Sequence, residues 1–407
     1  MTPRPLWRQL LATCREPLGI LVIATLVRFV FILSMGNRYY FADTGEYETQ
    51  ALQILHGGGI FSASPRAPLF PAMMALGMLV GGTHNYTAVR MLQLLVSVGR
   101  VLLIGRIARR MAGPVVQRLA MLGVALSPTL VFSTGMLYPT TLYSCFPLLA
   151  TDLALSLDER PRAWQGLAIG LCAVLAWLTD PVAVAPFAAL FAWVAFAPGP
   201  RRQRIPALAL ALLVIVIGVV PYARAREARF PGQNVFMSKP QWIMHWARTE
   251  SDFSAERHVR EPADSTWHPL ALRPFLDRET RLMREQPLAY LHDYTFEFVH
   301  FFKPYPDRIT TQNRYNTPLV LVTGAIWFVP VLGLALLALR SRRVRRRDLL
   351  LLWGVVLATD LLYSVFFTQT RYRIPVEPQL VILAAMGLHW AFPRLTERLM
   401  GVPTTTA

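Results

Sequence analysis

Three carboxylates fall within six positions in the stretch Phe41-Ala42-Asp43-Thr44-Gly45-Glu46-Tyr47-Glu48. The chain has 41 basic and 24 acidic residues, and this cluster directly follows an apolar run at 18–35. A carboxylate at a membrane surface, within reach of a lipid-borne substrate, can act as a base: it takes the proton of an acceptor hydroxyl or amine as that group attacks an activated carbon. Asp43 is the first candidate. Its neighbours Tyr39, Tyr40 and Phe41 form an aromatic belt that places it near the interface. Asp43 with Glu46 three residues on also has the spacing of a capping box at a helix start. Glu46 and Glu48 have the alternative reading of a solvated helix face.

Arginines supply the complementary chemistry. Arg371 and Arg373 flank Tyr372 in Thr370-Arg371-Tyr372-Arg373-Ile374-Pro375. A guanidinium pair at the outer interface suits a phosphate through bidentate hydrogen bonds; snorkelling to lipid headgroups is the bland alternative. Arg66, between Pro65 and Pro68, suits a substrate phosphate or carboxylate, or is a plain loop arginine. Arg28 lies inside the first apolar run, where a charge needs a partner; a structural ion pair with Asp180, Asp152 or Asp360 is favoured over a substrate contact. The candidate substrate-binding set is therefore Arg371, Arg373, Arg66, Glu46, Tyr372 and Arg28. Asp293, Glu297 and His300 share one helical face, with His292 beside them, but they match no metal motif. A solvated polar face is their default, and no metal ligand is assigned, although a divalent cation is an admissible cofactor. Walker, dinucleotide-fingerprint, HExxH and GxSxG motifs are absent, which argues against nucleotide-driven and zinc-protease chemistry.

The elements that must position these residues are membrane helices. The chain is 407 residues long, 54% hydrophobic, with mean hydropathy +0.38, too apolar for a soluble protein. Net charge is +17, but the arginines sit in short clusters between apolar runs, a topology signal and not a nucleic-acid footprint. Cys14, Cys145 and Cys172 lie in or beside predicted spans with no metal-type spacing. Apolar runs fall near 18–35, 87–108, 117–136, 138–156, 163–179, 181–197, 205–223, 317–339, 349–367 and 376–392. The strongest basic clusters are Arg106 to Arg110, Arg201 to Arg204 and Arg342 to Arg347. All become cytoplasmic if the further apolar segment 67–82 is only partly inserted. The expectation is an all-α polytopic membrane protein with about ten crossings in a single transmembrane domain over 1–392. It has outward loops at 36–66 and 224–316, and a cytoplasmic tail at 393–407. The long loop carries Trp242, Trp246, Trp267 and five histidines, and its stretch 278–302 has the spacing of an amphipathic interfacial helix.

In combination these motifs resemble the GT-C superfamily of integral-membrane glycosyltransferases, in particular the branch with protein O-mannosyltransferases and the lipid A aminoarabinose transferase. The resemblance rests on Leu26-Val27-Arg28-Phe29, Asp43-Thr44-Gly45-Glu46-Tyr47, Arg66-Ala67-Pro68-Leu69, Leu126-Ser127-Pro128-Thr129-Leu130 and Arg371-Tyr372-Arg373-Ile374-Pro375-Val376-Glu377-Pro378. It implies a polyprenyl-phosphate-linked sugar donor and a glycan, lipid or protein acceptor. It implies Asp43 as base, arginines near 371–373 on the donor phosphate, inversion at the anomeric carbon, and a site on the periplasmic face of a bacterial inner membrane. One departure stands out: Thr140 occupies the position where many relatives carry a second carboxylate. The rival readings are a transporter or flippase of lipid-linked saccharides and a non-catalytic membrane subunit.

Overall fold

The computed structural model describes residues 15–41, 43–61, 66–196, 201–230, 238–249, 257–259, 270, 272–305, 318–342 and 344–402. Among these there is no strand, and the helices follow the apolar runs. They are α1 (Pro17–Met35), α2 (Asp43–Leu55), α3 (Leu69–Gly81), α4 (Tyr86–Leu126), α5 (Pro128–Gly135), α6 (Thr140–Glu159), α7 (Ala163–Trp177), α8 (Val184–Phe196) and α9 (Arg201–Arg229). Then come α10 (Ser238–Thr249), α11 (Leu272–Glu285), α12 (Pro287–Phe301), α13 (Pro318–Leu337), α14 (Arg346–Phe366), α15 (Thr370–Arg373), α16 (Glu377–Ala391) and α17 (Pro393–Met400). By length and composition, 6 of the described helices can each cross a membrane, and shorter apolar helices accompany them. The protein is a multi-pass membrane protein.

Two expected runs, 87–108 and 117–136, fall on the single long element α4 and the short α5. Gly113 breaks α4 with φ 84°, a left-handed conformation that glycine adopts without penalty, and Pro114 restarts the helix. The second arm folds back on the first: a Cβ at Gly105 would collide with Met121. The 67–82 segment becomes α3, only 13 residues long, and its surroundings fix its topology. Asn37, just after α1, donates to the carbonyl of His84 at 3.0 Å, and Arg90 of α4 donates to the carbonyl of Gly36 at 2.7 Å. The chain therefore leaves α1 and starts α4 at the same end of the bundle, so α2 and α3 do not cross.

The three arginine clusters gather at the opposite end. Arg106 and Arg110 reach Asp152 at 2.9 and 3.4 Å, and Arg204 reaches Asp158 at 2.7 Å. Arg345 and Arg347 close on the same Asp158. That is the one-sided distribution on which the topological reading depends. Tight packing holds the helices: a Cβ at Gly166 or Gly170 would run into the backbone of Ala207 or Ala211 on α9, a small-xxx-small contact on both partners.

Arg28 corrects an expectation. It pairs with none of Asp180, Asp152 or Asp360. Pro128 has no N–H, so the carbonyl of Val124 lacks its helical donor. Arg28 supplies one at 2.8 Å, donates to the carbonyl of Ala125 at 3.0 Å, and reaches the Ser97 hydroxyl at 2.8 Å. It is fully buried. Removing it strands two carbonyls, each costing about 1–3 kcal/mol. Arg28→Met is therefore expected to lower thermal stability in detergent by on the order of 2–4 kcal/mol. Leu26→Ala, two residues away on the exposed face of the same helix, is expected to change it by under about 1 kcal/mol. Equal melting shifts for the two variants would contradict this assignment.

Candidate active site

The start of α2 is one wall of a cavity of about 730 Å³ at the end of the bundle opposite the arginine clusters. Thr44, Tyr47, Gln50 and Ala51 are buried on one face of α2, and Tyr47 packs edge-on against Phe70 of α3 at 5.2 Å. Asp43 and Glu46, three residues apart, share the face turned to the cavity. Arg66 bridges them: its Nε donates to Glu46 at 2.9 Å and its Nη2 lies 3.4 Å from Asp43. The guanidinium sits over the Tyr47 ring at 5.1 Å.

From the far end of the sequence Arg371 arrives at the same carboxylate. Its Nη1 lies 3.5 Å from Asp43 Oδ2 and 3.4 Å from the Tyr138 hydroxyl. Tyr138 and Tyr372 flank the guanidinium at 5.6 and 5.4 Å, and Tyr372 stacks on Tyr363 at 4.4 Å. Asp43, Arg371 and Arg66 keep 30%, 21% and 13% of their side chains exposed, enough to touch the contents of the cavity. Burial works against the charge on Arg66, but Tyr47, Glu46 and Asp43 outweigh it and hold its pKa above the ordinary arginine value. For Arg371, Tyr372, Tyr138 and Asp43 outweigh burial in the same way. Burial, with Asp43 acting against Arg371, raises the Tyr138 phenol, which stays protonated and able to donate. The site is thus two permanent cations and a carboxylate on an aromatic frame.

Arg373 does not join them. It is fully buried, donates to the carbonyls of Phe301 and Lys303 at 3.1 and 2.6 Å, and lies 3.4 Å from the Phe328 ring centre. Arg28 is equally remote, among α1, α4 and their carbonyls. The structure therefore gathers Asp43, Glu46, Arg66, Arg371 and Tyr372, and gives Arg28 and Arg373 to the framework. Glu48 is no solvated side chain either: it takes the Tyr86 hydroxyl at 2.6 Å and His84 at 2.7 Å. Phe41, expected in an interfacial belt, is buried edge-on against Tyr138 at 5.6 Å. Two quoted motifs meet each other: Glu377 accepts from Ser127 at 3.1 Å, from Trp327 at 3.3 Å and, more closely, from Thr129.

Several lining residues have no counterpart in the sequence reading of the site. Asp180 caps the single turn Pro181–Ala183, accepting from Val182 N at 3.2 Å, and faces the cavity. Its signal was a carboxylate directly before a proline, an N-cap with proline at the first helical position. Trp242 and Trp246, stacked at 5.8 Å, form a roof with Ile243. Asp180, Ile243, Tyr363 and Tyr372 also line a second, adjoining cavity of about 490 Å³, whose other walls are largely apolar and include Phe187, Phe191, Leu212 and Phe366. Thr140, at the position of the absent second carboxylate, lines the first cavity. A divalent cation at Asp43 would meet both guanidiniums within 3.5 Å of the same oxygen. That donor set does not suit a metal ion.

A family profile described as dolichyl-phosphate-mannose-protein mannosyltransferase matches residues 65–223. No curated protein sequence matches the chain. Among solved structures, ArnT from Cupriavidus metallidurans aligns with TM-score 0.61 at 17% identity over 94% of this chain and 61% of its own. Its undecaprenyl-phosphate-bound form aligns with TM-score 0.61 at 18% identity. The oligosaccharyltransferase AglB from Archaeoglobus fulgidus, in complex with an inhibitory peptide and a dolichol-phosphate, aligns with TM-score 0.59 at 14% identity over 96% of this chain and 52% of its own. The chain has the GT-C fold. The resemblance read from its motifs therefore holds at the level of fold, and the chain spans about three fifths of the ArnT length and half of the AglB length.

The roof over the cavity is pinned by Arg248 of α10, which forks onto Glu279 of α11 at 2.9 and 3.2 Å and reaches Tyr290 of α12 at 2.8 Å. Burial pushes Glu279 up, but the hydrogen bonds and charge of Arg248, with Tyr290 and Arg278, pull it below the ordinary carboxylate value. A depressed carboxylate stabilises above its unfolded pKa, about 4.3, and loses that contribution as pH falls through the folded value. The tryptophan stack is therefore expected to hold at pH 7 and loosen below about pH 4. Tryptophan fluorescence on acid titration would report it, and Glu279→Gln should shift the signal at neutral pH.

Proposed function

We propose that the protein is a membrane glycosyltransferase that moves a sugar from a polyprenyl-phosphate donor to a glycan, lipid or protein acceptor. The observation that carries this reading is the meeting of Arg66 and Arg371 on Asp43, at a polar cavity adjoining an apolar one. A polyprenyl-phosphate sugar has the same division: a charged, hydroxyl-rich head and a hydrocarbon tail. The tail would occupy the cavity walled by Phe187, Phe191 and Leu212, and the head the cavity under Trp242 and Trp246. The ArnT structure bound to undecaprenyl phosphate and the AglB structure bound to a dolichol-phosphate support this choice of donor. The arginine clusters at the far end favour a site facing away from the cytoplasm, the periplasm if the membrane is a bacterial inner membrane.

In the reaction the acceptor oxygen or nitrogen attacks the anomeric carbon from the face opposite the phosphate. The carbon–oxygen bond to phosphate breaks and its electron pair leaves with the phosphate, giving inversion. Asp43 receives the acceptor proton. Arg371 and Arg66 stabilise the charge growing on the leaving group. Without donor, both guanidiniums contact Asp43; a phosphate between them competes for those contacts and frees the carboxylate. The roof helix excludes water from the donor carbon. No metal ion enters this sequence. Thr140 in place of a second carboxylate favours one alternative, a subunit that binds the lipid-linked sugar without transferring it.

Purified wild type, Asp43→Asn and Arg371→Ala, reconstituted with a panel of polyprenyl-phosphate sugars and a membrane extract as acceptor source, test the reading. Asp43→Asn is expected to lower transfer at least about 100-fold while leaving polyprenyl-phosphate affinity equal to or above wild type. Arg371→Ala is expected to weaken that affinity about tenfold or more. Full transfer by Asp43→Asn would remove its role as base, and unchanged affinity in Arg371→Ala would remove the phosphate contact. Tight binding by a wild type that transfers nothing would favour the subunit alternative.

A further inference from the structure

The outward segment between α9 and α13 carries a second cluster of chemistry-bearing side chains. Asp293, on α12, is almost wholly buried, which overturns the solvated face expected there. Its neighbour Glu297 is also buried, holding Arg257 at 2.7 Å and the Thr368 backbone N–H at 2.6 Å. Asp293 fixes the short segment 257–259: Oδ1 accepts from His258 N at 2.8 Å and Oδ2 from Val259 N at 3.0 Å. The same Oδ1 faces two imidazoles. Nδ1 of His292 lies 3.3 Å away and Nδ1 of His258 3.6 Å away, and the two ring centres are 3.9 Å apart.

These separations do not describe a hydrogen-bonded triad. A ring nitrogen at 3.6 Å is beyond hydrogen-bond range, so the carboxylate satisfies at most one of the two rings. A tetrahedral ion with bonds of about 2.0–2.1 Å has ligand-to-ligand edges of about 3.3–3.4 Å, close to the two carboxylate-to-imidazole spacings, and the three ligand atoms all lie within 4.8 Å of one another. Asp293 has the lone pairs for both duties, because each carboxylate oxygen can accept a backbone N–H and still donate to a cation. Among the described residues this is the one group of His, Cys, Asp and Glu with ligand atoms mutually close enough to hold an ion.

We propose that His258 Nδ1, His292 Nδ1 and Asp293 Oδ1 bind a divalent transition-metal ion with an affinity for imidazole, zinc first, leaving one coordination position open to water. Its role is to clamp segment 257–259 onto α12. The clamp has a direct line to the transfer site. Arg257, next to His258, reaches the carbonyl of Phe366 at 2.7 Å and lies over the Phe367 ring at 5.9 Å. Both phenylalanines line the apolar cavity, and Arg371 follows four residues later. The site is separate from the Asp43 carboxylate and stands whether or not the transfer reading does.

The test is a calorimetric titration of the full chain in detergent, stripped with a chelator, with zinc chloride, and a parallel titration with cobalt(II) read by its visible absorption. One equivalent is expected, with an intense tetrahedral cobalt spectrum. His292→Ala and His258→Ala are each expected to weaken binding at least tenfold and to abolish the tetrahedral signature. If His292→Ala fails to fold, His258→Ala alone decides, because the His258 side chain is exposed between the buried Arg257 and Val259. Failure of the wild type to bind saturably, or binding unchanged in either folded variant, would overturn the site.

Discussion

A carbonyl without a donor is the constraint on which this bundle depends. Within a membrane, water cannot satisfy the backbone where a helix breaks, and this chain breaks its helices repeatedly near the site: before Pro128, after Gly135, after Phe301. At each break an arginine from elsewhere supplies the missing donors. Arg28 serves Val124 and Ala125, Arg90 serves Gly135, Gly36 and Arg38, and Arg373 serves Phe301 and Lys303. The fork of a guanidinium suits this task because it spans two or three carbonyls at once. These fixed breaks let α5, the Tyr138 segment and α15 hold irregular courses around a cavity, and so place Tyr138 and Arg371 opposite Asp43.

The division of labour among the arginines was only partly legible in the sequence. Charge clusters indicated which helix ends lie together, because that signal accumulates over many residues and every cluster points the same way. The short α3 followed from the same count. Asp43 and Glu46 were legible as neighbours because a helix brings positions three apart together, whereas Arg66, read separately as a phosphate contact or a plain loop arginine, joins them only through the fold. Arg371 and Arg373 looked equivalent, yet two steps along a helical turn are about 200° apart, so one faces the cavity and the other the core. Arg28 was misread for a different reason. Its partners are backbone carbonyls exposed by a proline a hundred residues away, and no side chain in the sequence announces them. Asp180, Trp242 and Trp246 reach the cavity only through tertiary packing.

The two adjoining cavities also bear on how the protein treats an amphiphile. Tyr363 and Tyr372, stacked on each other, stand at the boundary with Asp180 and Ile243. An aromatic pair with one polar edge is suited to such a boundary, where the contents change from hydrocarbon to charged. A ligand with only one of the two characters fills only half of the available surface. If the ligand is the proposed polyprenyl-phosphate sugar, its selection begins with the shape of the two cavities, before any contact with the sugar.

The reliance of α1 on Arg28 has a consequence for synthesis. Helix α1 emerges with a guanidinium at its centre that has only the carbonyl of Ala24 within reach on its own helix, and the carbonyls that complete its contacts are made about a hundred residues later. In the interval the helix is a poor guest in lipid. The first arm of α4, whose Ser97 hydroxyl takes the Arg28 Nε–H at 2.8 Å, brings the earliest partner from outside α1. The burial of Arg28 is thus complete only once the chain as far as the Pro128 break is in place, so α1 is not a unit independent of the helices that follow it.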